Sequence, residues 1–240
     1  MMRKVALVLA LSSVVSGGAL GAEPSPSAGG GGMNVLESGR PTEWSQPPNL
    51  DGLIGSSEII SAIGIETEIV NDFYFTGDYW IERVTWWGGY WNGNGCGDIG
   101  VATYWNLRFY DDGGCCPSTV LEEYVAAYGS ETFVYCQAGI YPIFEYLACP
   151  EVWCMGNTLY WFSAQATDHA FPPQVGRIAS AEVISCDSVF RSLYFGYPDW
   201  TPCIDVFGVP YDASQQLDDF ICIGVSTERT TWGSLKALYR

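Results

Sequence analysis

The stretch Val84-Thr85-Trp86-Trp87-Gly88-Gly89-Tyr90-Trp91 constrains the fold more than any other part of the chain. It is the middle of a strand-like run that begins near Tyr79 and stops at the turn signal Asn92-Gly93-Asn94-Gly95. Side chains on a strand alternate between its two faces, so Val84, Trp86 and Tyr90 share one face while Thr85, Trp87 and Trp91 share the other. Both faces therefore carry tryptophan. A two-layer β protein buries one face of each strand and normally leaves the other polar. One set of rings must then lie under a loop or form a platform that touches something outside the chain. The candidate ligand-binding platform is Trp86, Trp87, Tyr90 and Trp91, because flat aromatic rings suit the apolar C–H faces of sugars and need no catalytic machinery. A large aromatic core sealed by loops and disulfides is the other reading of the same residues.

The first residues carry Arg3 and Lys4, then an apolar run from Val5 to Leu11 extended through Val14 and Val15, then Ala19-Leu20-Gly21-Ala22. A short basic start, an apolar core too short to span a bilayer and small residues before the cut describe a secretory signal peptide over residues 1–22. No later apolar stretch reaches the roughly 20 residues a membrane helix needs. The mature protein is expected outside a bacterial cytoplasm, secreted or at the cell surface, and not membrane-spanning.

All nine cysteines follow that segment: Cys96, Cys115, Cys116, Cys136, Cys149, Cys154, Cys186, Cys203 and Cys222. In an oxidising compartment they read as disulfide candidates. Nine is odd, so at least one thiol is free, capped or bonded to another molecule. Adjacent Cys115 and Cys116 are expected to have different partners, with Cys96 or a near neighbour meeting that pair and Cys149 closing a short loop with Cys154. Zinc is disfavoured, because the chain has one histidine and no Cys-x-x-Cys.

The formal net charge of -17 repels phosphate backbones, which argues against a nucleic-acid partner. Residues 23–48 hold a Pro/Ser segment, the glycine run Gly29 to Gly32, and Pro41, Pro47 and Pro48, a composition that reads as a flexible linker. Residues 49–225 change texture. Short runs rich in β-branched and aromatic residues alternate with Gly, Asn, Asp and Pro, which predicts an all-β, antiparallel β-sandwich of jelly-roll type. Strands are expected near 66–75, 79–91, 102–110, 131–137, 140–148, 157–166, 188–196 and 218–224, with a short helix as the alternative over 117–127. Residues 226–240 reverse the charge balance. Trp232, Leu235, Leu238 and Tyr239 there recur at spacings of three and four, which suits a packed C-terminal element or a sorting or docking tag for a secretion or assembly partner.

Several blocks are specific as a set: Asp72-Phe73-Tyr74-Phe75, Trp86-Trp87-Gly88-Gly89-Tyr90-Trp91, Leu107-Arg108-Phe109-Tyr110-Asp111-Asp112-Gly113-Gly114, Tyr160-Trp161-Phe162-Ser163 and the ending from Thr231 to Arg240. With these the chain, over roughly residues 60–240, resembles a group of secreted bacterial proteins of uncharacterised function. The resemblance implies an exported jelly-roll-like sandwich with a terminal tag. It carries no catalytic residue.

Catalysis finds little support in the residues. The one histidine, His169, sits in a loop-like segment, and neither Gly-x-Ser-x-Gly nor His-Glu-x-x-His occurs. The acid pairs Glu122/Glu123, Asp111/Asp112 and Asp218/Asp219 are adjacent, so on strands they point to opposite faces, and a sandwich-fold glycoside hydrolase is the weaker alternative. Structural calcium is the one cofactor the loops suggest. Asp98, in Asn92-Gly93-Asn94-Gly95-Cys96-Gly97-Asp98, and Asp111 and Asp112 offer carboxylate oxygens on glycine-rich backbone, although ordinary turns favour the same residues. The expected function is a secreted non-catalytic binding or structural module, with a glycan ahead of a cell-surface protein as partner. A surface-assembly component docked by its C-terminal tail is the alternative.

Overall fold

Central strands buried on both faces, flanked by short strands with alternating burial, set the architecture. The computed structural model describes residues 44–98, 101–102, 104–127, 131–167, 169–219 and 227–229. In chain order the strands are β1 (Trp44–Gln46), β2 (Ile54–Ser56), β3 (Glu58–Ile60), β4 (Ile65–Tyr74), β5 (Tyr79–Ile81), β6 (Arg83–Trp91), β7 (Tyr104–Asp112), β8 (Pro117–Ala127) and β9 (Thr132–Gln137). They continue with β10 (Tyr141–Ala148), β11 (Val152–Cys154), β12 (Leu159–Thr167), β13 (Gln174–Ile178), β14 (Val189–Ser192), β15 (Tyr197–Pro202), β16 (Gln215–Asp218) and β17 (Thr227–Arg229). One short helix, α1 (Cys203–Phe207), follows β15. None of these elements is a helix long and apolar enough to cross a membrane.

The strands build an antiparallel, all-β sandwich of two large sheets. The first runs β1-β16-β6-β10-β9, with β13 against β6 and β2 against β13. Its centre is β6: one edge pairs with β10, while the other is shared between β16 over Arg83–Trp86 and β13 over Gly88–Trp91. The second sheet runs β15-β14-β4-β3-β12-β7-β8-β17, and β4 also meets β12 directly. A separate two-stranded ribbon joins β5 to β11.

Between the sheets lies an aromatic interior. Trp86 stacks on Tyr146 of β10 at 5.6 Å between ring centroids and meets the edges of Trp105 and Phe162 from the opposite sheet at 5.4 and 6.4 Å. Phe109 with Phe162 and Phe73 with Tyr160 extend the stack. Each such aromatic contact adds about 0.5–1.5 kcal/mol beyond the burial of the rings themselves. Gly88 makes this packing compatible with a shared strand edge. A Cβ at Gly88 would run into the carbonyl oxygen of Gly176 on β13, and one at Gly89 would lie 2.7 Å from the carbonyl oxygen of Pro142.

The opposite face of β6 is closed as well. Trp87 packs with Ile143 and Ile178 beneath Leu50 and Ile54. Asn49 and Ala179 hold that covering segment in place, with N–H of Asn49 donating to the Ala179 carbonyl at 2.9 Å and N–H of Ala179 donating to Leu53 at 2.9 Å.

Several expectations from the sequence are corrected here. Residues 117–127 are strand β8 and not a helix, because they pair with β7 along most of their length. The flexible linker does not extend to residue 48: Trp44–Gln46 is a strand against β16, with Trp44 and Gln46 both buried. The run 79–91 breaks at Glu82 into β5 and β6. The strand expected at 188–196 covers only Val189–Ser192, since Leu193–Gly196 turns the chain into β15. The one expected near 218 begins earlier, at Gln215, and its continuation lies outside the described residues. The signal peptide, the linker up to residue 43 and the tail apart from Thr227–Arg229 also lie outside them.

The cysteines pair differently from expectation. Cys96 bonds to Cys136, tying the loop after β6 to β9, and Cys115 bonds to Cys186. Cys149 is also disulfide-bonded. Cys116, Cys154 and Cys203 are free thiols, so these three are not disulfide partners. Cys96 cannot reach the Cys115–Cys116 pair because the nine residues of β7, roughly 30 Å of extended chain, separate the loop at its start from the turn at its end. Cys154 cannot close a loop with Cys149 because it points inward from β11 into the core.

Two outcomes follow from this packing. Gly88→Ala is expected to lower the urea midpoint by an amount equivalent to about 1–3 kcal/mol, with an unchanged m value, because the added methyl has only backbone to displace. Thiol titration of the native protein should label Cys116 first, since it is only half-buried. Burial pushes the Cys154 thiol up to about 12 and the Cys203 thiol well above its usual range, so both should react only after unfolding.

Candidate functional site

The expected aromatic platform is not an open surface. Trp86 and Tyr90 lie in the core at 0% and 1% exposure, Trp87 is covered at 8%, and only Trp91 is half-buried. Trp86 and Tyr90 face the opposite sheet, and residues 50–54 roof the other side of β6 over Trp87. The tip of Tyr90 is also engaged: its hydroxyl donates to Glu131 and accepts from the N–H of Ala102 at 3.3 Å. Burial, and then the Glu131 carboxylate, raise its pKa far above that of a free tyrosine. Trp86, Trp87 and Tyr90 are committed to packing, so the four residues do not present one open face.

The proposed calcium ligands are likewise used locally. Asp98 accepts from the Asn94 N–H at 2.7 Å and from its side-chain amide at 3.2 Å. Asp111 accepts from the Asp112 N–H at 3.0 Å, and Asp112 accepts from the Trp161 indole at 2.9 Å and the Gly114 N–H at 3.0 Å. Asp98 precedes β7 while Asp111 and Asp112 end it, so the two loops sit at opposite ends of that strand. Among the described residues no group of three or more His, Cys, Asp or Glu side chains is placed to hold a metal ion.

The acid pairs and the histidine serve structure. Glu123 binds Arg108 at 2.6 Å and Asp218 binds Arg83 at 2.8 Å. His169 is enclosed with its Nε2 3.2 Å from the Glu58 carboxylate, which itself accepts from the Ser56 hydroxyl at 2.8 Å and the Val175 N–H at 2.7 Å. The Val175 N–H bond ties β13 to Glu58 of β3, and the imidazole has no exposed surface.

Open aromatic surface appears instead on the β5/β11 ribbon. Its inward residues Ile81, Val152 and Cys154 join the main core. Its outward residues alternate with them: Asp78, Trp80 and Glu82 on one strand and its flanks, Glu151, Trp153 and Met155 on the other. Trp80 stands directly opposite Trp153, their rings 5.3 Å apart and tilted by 58°. They are 51% and 47% exposed. The ribbon is anchored from several sides. The Tyr124 hydroxyl donates to the Glu151 carbonyl at 2.6 Å, the Glu82 N–H donates to the Asp218 carbonyl at 3.0 Å, and the Gly156 N–H donates to Asp78 at 2.9 Å. The pair is thus held on fixed backbone, as a recognition surface requires.

Sequence reasoning missed this pair. Trp80 fell inside the long run assigned to one strand. Val152–Cys154 is a three-residue strand too short to announce itself by periodicity. The alternation Glu151-Val152-Trp153-Cys154 was the only available signal.

A second feature is a buried polar seam. The Gln46 amide donates to Asp212 at 2.8 Å, the Asn71 amide donates to Gln46 at 2.6 Å, and the Ser188 hydroxyl donates to Asn71 at 2.6 Å. Asp72 accepts from the Cys186 N–H at 3.0 Å, while its other oxygen has no hydrogen-bond partner. Burial drives the Asp72 carboxyl up to about 6 and that of Asp212 up to about 7, against the backbone N–H groups of Cys186 and Ile184 that oppose the shift. Glu68 behaves oppositely. Burial alone would raise it, but Arg108 above all, with Tyr110, Ser163 and Arg191, holds it below the ordinary range.

No family model matches the chain, and no curated protein or solved structure does either.

The raised carboxyls fix the sign of a pH effect. Between the ordinary value of 3.8 and about 6, folded Asp72 keeps a proton that the unfolded chain releases, so its contribution is complete at low pH and is lost as pH rises through about 6. The melting temperature should therefore fall from mildly acidic to neutral pH. Asp72→Asn, which replaces the unpartnered oxygen by an amide, should flatten that slope and melt higher than the parent above neutrality. An unchanged slope would place the titration elsewhere.

Proposed function

We propose that this protein is a non-catalytic binding module that works in an oxidising, extracytoplasmic compartment and recognises glycans through Trp80 and Trp153. One observation carries the reading. The fold encloses Trp86, Trp105 and Trp161 almost completely, yet it sets two indoles side by side in water on a ribbon whose other face is fully committed to the core.

The physical case is simple. An indole left half-exposed forgoes a large part of the roughly 1.5–3 kcal/mol that burying a large apolar side chain supplies. A ligand with flat apolar C–H faces recovers it on binding, and a sugar ring edged by hydroxyls offers such faces without demanding a deep pocket. The disulfides of Cys96, Cys115 and Cys149 suit that compartment. Among the described residues the acid pairs and His169 are engaged in structural contacts, which supports binding over turnover.

The test is a glycan array followed by calorimetry on the selected oligosaccharides. Trp80→Ala and Trp153→Ala should each weaken binding at least tenfold. The melting temperature should stay nearly unchanged, because surface substitutions usually shift stability by about 0.5 kcal/mol or less. Binding that survives both substitutions, or turnover of the bound glycan, would overturn the reading.

A further inference from the structure

The charges around the Trp80–Trp153 pair specify its ligand more narrowly. The ribbon's outward face carries three carboxylates as well as two indoles: Asp78 and Glu82 sit two residues to either side of Trp80, and Glu151 two residues before Trp153. Register continues the pairing 80 with 153 to Glu82 beside Glu151 and Asp78 beside Met155. Each of these side chains except Met155 is acidic, and all are exposed.

Among residues 44–219 no cation is paired with them. Between residues 44 and 219 the only permanently cationic side chains are Arg83, Arg108, Arg177 and Arg191. Arg83 is held by Asp218, Arg108 by Glu68 and Glu123, and Arg191 by Glu68. Arg177 is wholly buried, with its guanidinium donating to the Ser214 carbonyl at 2.9 Å. The face around the two indoles is therefore negative among the described residues, and each arginine between residues 44 and 219 is already engaged elsewhere. Two carboxylates placed as neighbours at Glu82 and Glu151 repel each other until a positive group lies between or above them. An indole face also attracts a cation through its ring quadrupole, and this molecule already places the Arg191 guanidinium 4.2 Å from the ring centre of Trp200.

We infer that the ligand is a glycan bearing free, protonated amino groups, in which sugar C–H faces lie on Trp80 and Trp153 while ammonium groups meet Glu82, Glu151 and Asp78. This inference rests on the reading of the indole pair as a sugar platform and adds the charge of the sugar to it. Glycans edged by carboxylate or sulfate are disfavoured by the same face.

Calorimetry on the full chain at mildly acidic pH tests it, using glucosamine oligomers, their N-acetylated counterparts and glucose oligomers of equal length. The amine-bearing oligomers should bind about tenfold more tightly than the acetylated ones at low ionic strength, the scale of a partly desolvated cation–π contact with charge pairing. That advantage should vanish in high salt, where exposed charges are screened, and in the double variant Glu82→Gln/Glu151→Gln. Equal binding of acetylated or glucose oligomers, unaffected by the double variant but lost in Trp80→Ala, would overturn the charge assignment and leave the sugar platform standing. Failure of every oligomer to bind overturns both, as would tryptophan-dependent binding of polylysine with no glycan bound.

Discussion

The packing of the Trp86–Tyr146 pair of one sheet against Trp105 of the other is the point on which the two sheets depend. Sheets packed face to face stand about 10 Å apart, and here that gap is filled by rings from both sides, Trp86, Tyr146 and Tyr90 against Trp105, Phe109 and Phe162. Rings this large leave a strand little room for neighbours at the same level. Gly88 resolves the conflict, because β13 can approach β6 only where no Cβ stands against Gly176. The Trp-Trp-Gly-Gly-Tyr order is therefore one packing solution, with bulk on either side of a backbone that must be bare.

A polar seam complements this stack and adds specificity. Buried polar groups are costly unless hydrogen-bonded, which makes them exacting about register. Gln46, Asn71, Ser188 and Asp212 form a chain of bonds joining β1, β4, the loop before β14 and the segment before β16. The loop leading to β14 has no regular partner strand. Its N–H groups at Ile184, Cys186 and Ser188 are instead accepted by Asp212 and Asp72. Two acids thus do for that loop what a neighbouring strand would otherwise do, and the Cys115–Cys186 bond ties it to the turn after β7.

Much of this was legible in the sequence, and the pattern of success has physical reasons. Long strands such as β4, β6, β7, β10 and β12 announce themselves because each is a run of eight to ten residues rich in β-branched and aromatic side chains. The partition of Trp86 and Tyr90 from Trp87 and Trp91 followed from the alternation of side chains along a strand alone. Burial did not, since whether Trp87 meets water depends on Leu50 and Ile54, 37 and 33 residues earlier and in a segment of ordinary loop composition. Disulfide pairing was hidden for the same reason: spacing along the chain says nothing about which ends of β7 face which loops. The ribbon of β5 and β11 was missed because three-residue strands carry no usable periodicity, and only their pairing reveals that Trp80 and Trp153 share an outward face.

Among the described residues the fold encloses Trp86, Trp87, Trp105 and Trp161 as structural indoles and turns Trp80 and Trp153 outward as a pair. Hydroxyl-radical footprinting of the native protein, read tryptophan by tryptophan by mass spectrometry, tests that division without assuming any ligand. The account predicts fast oxidation at Trp80 and Trp153, with strong protection at Trp86, Trp105 and Trp161. Comparable oxidation at Trp86 or Trp87, or protection of Trp80 and Trp153, would contradict it.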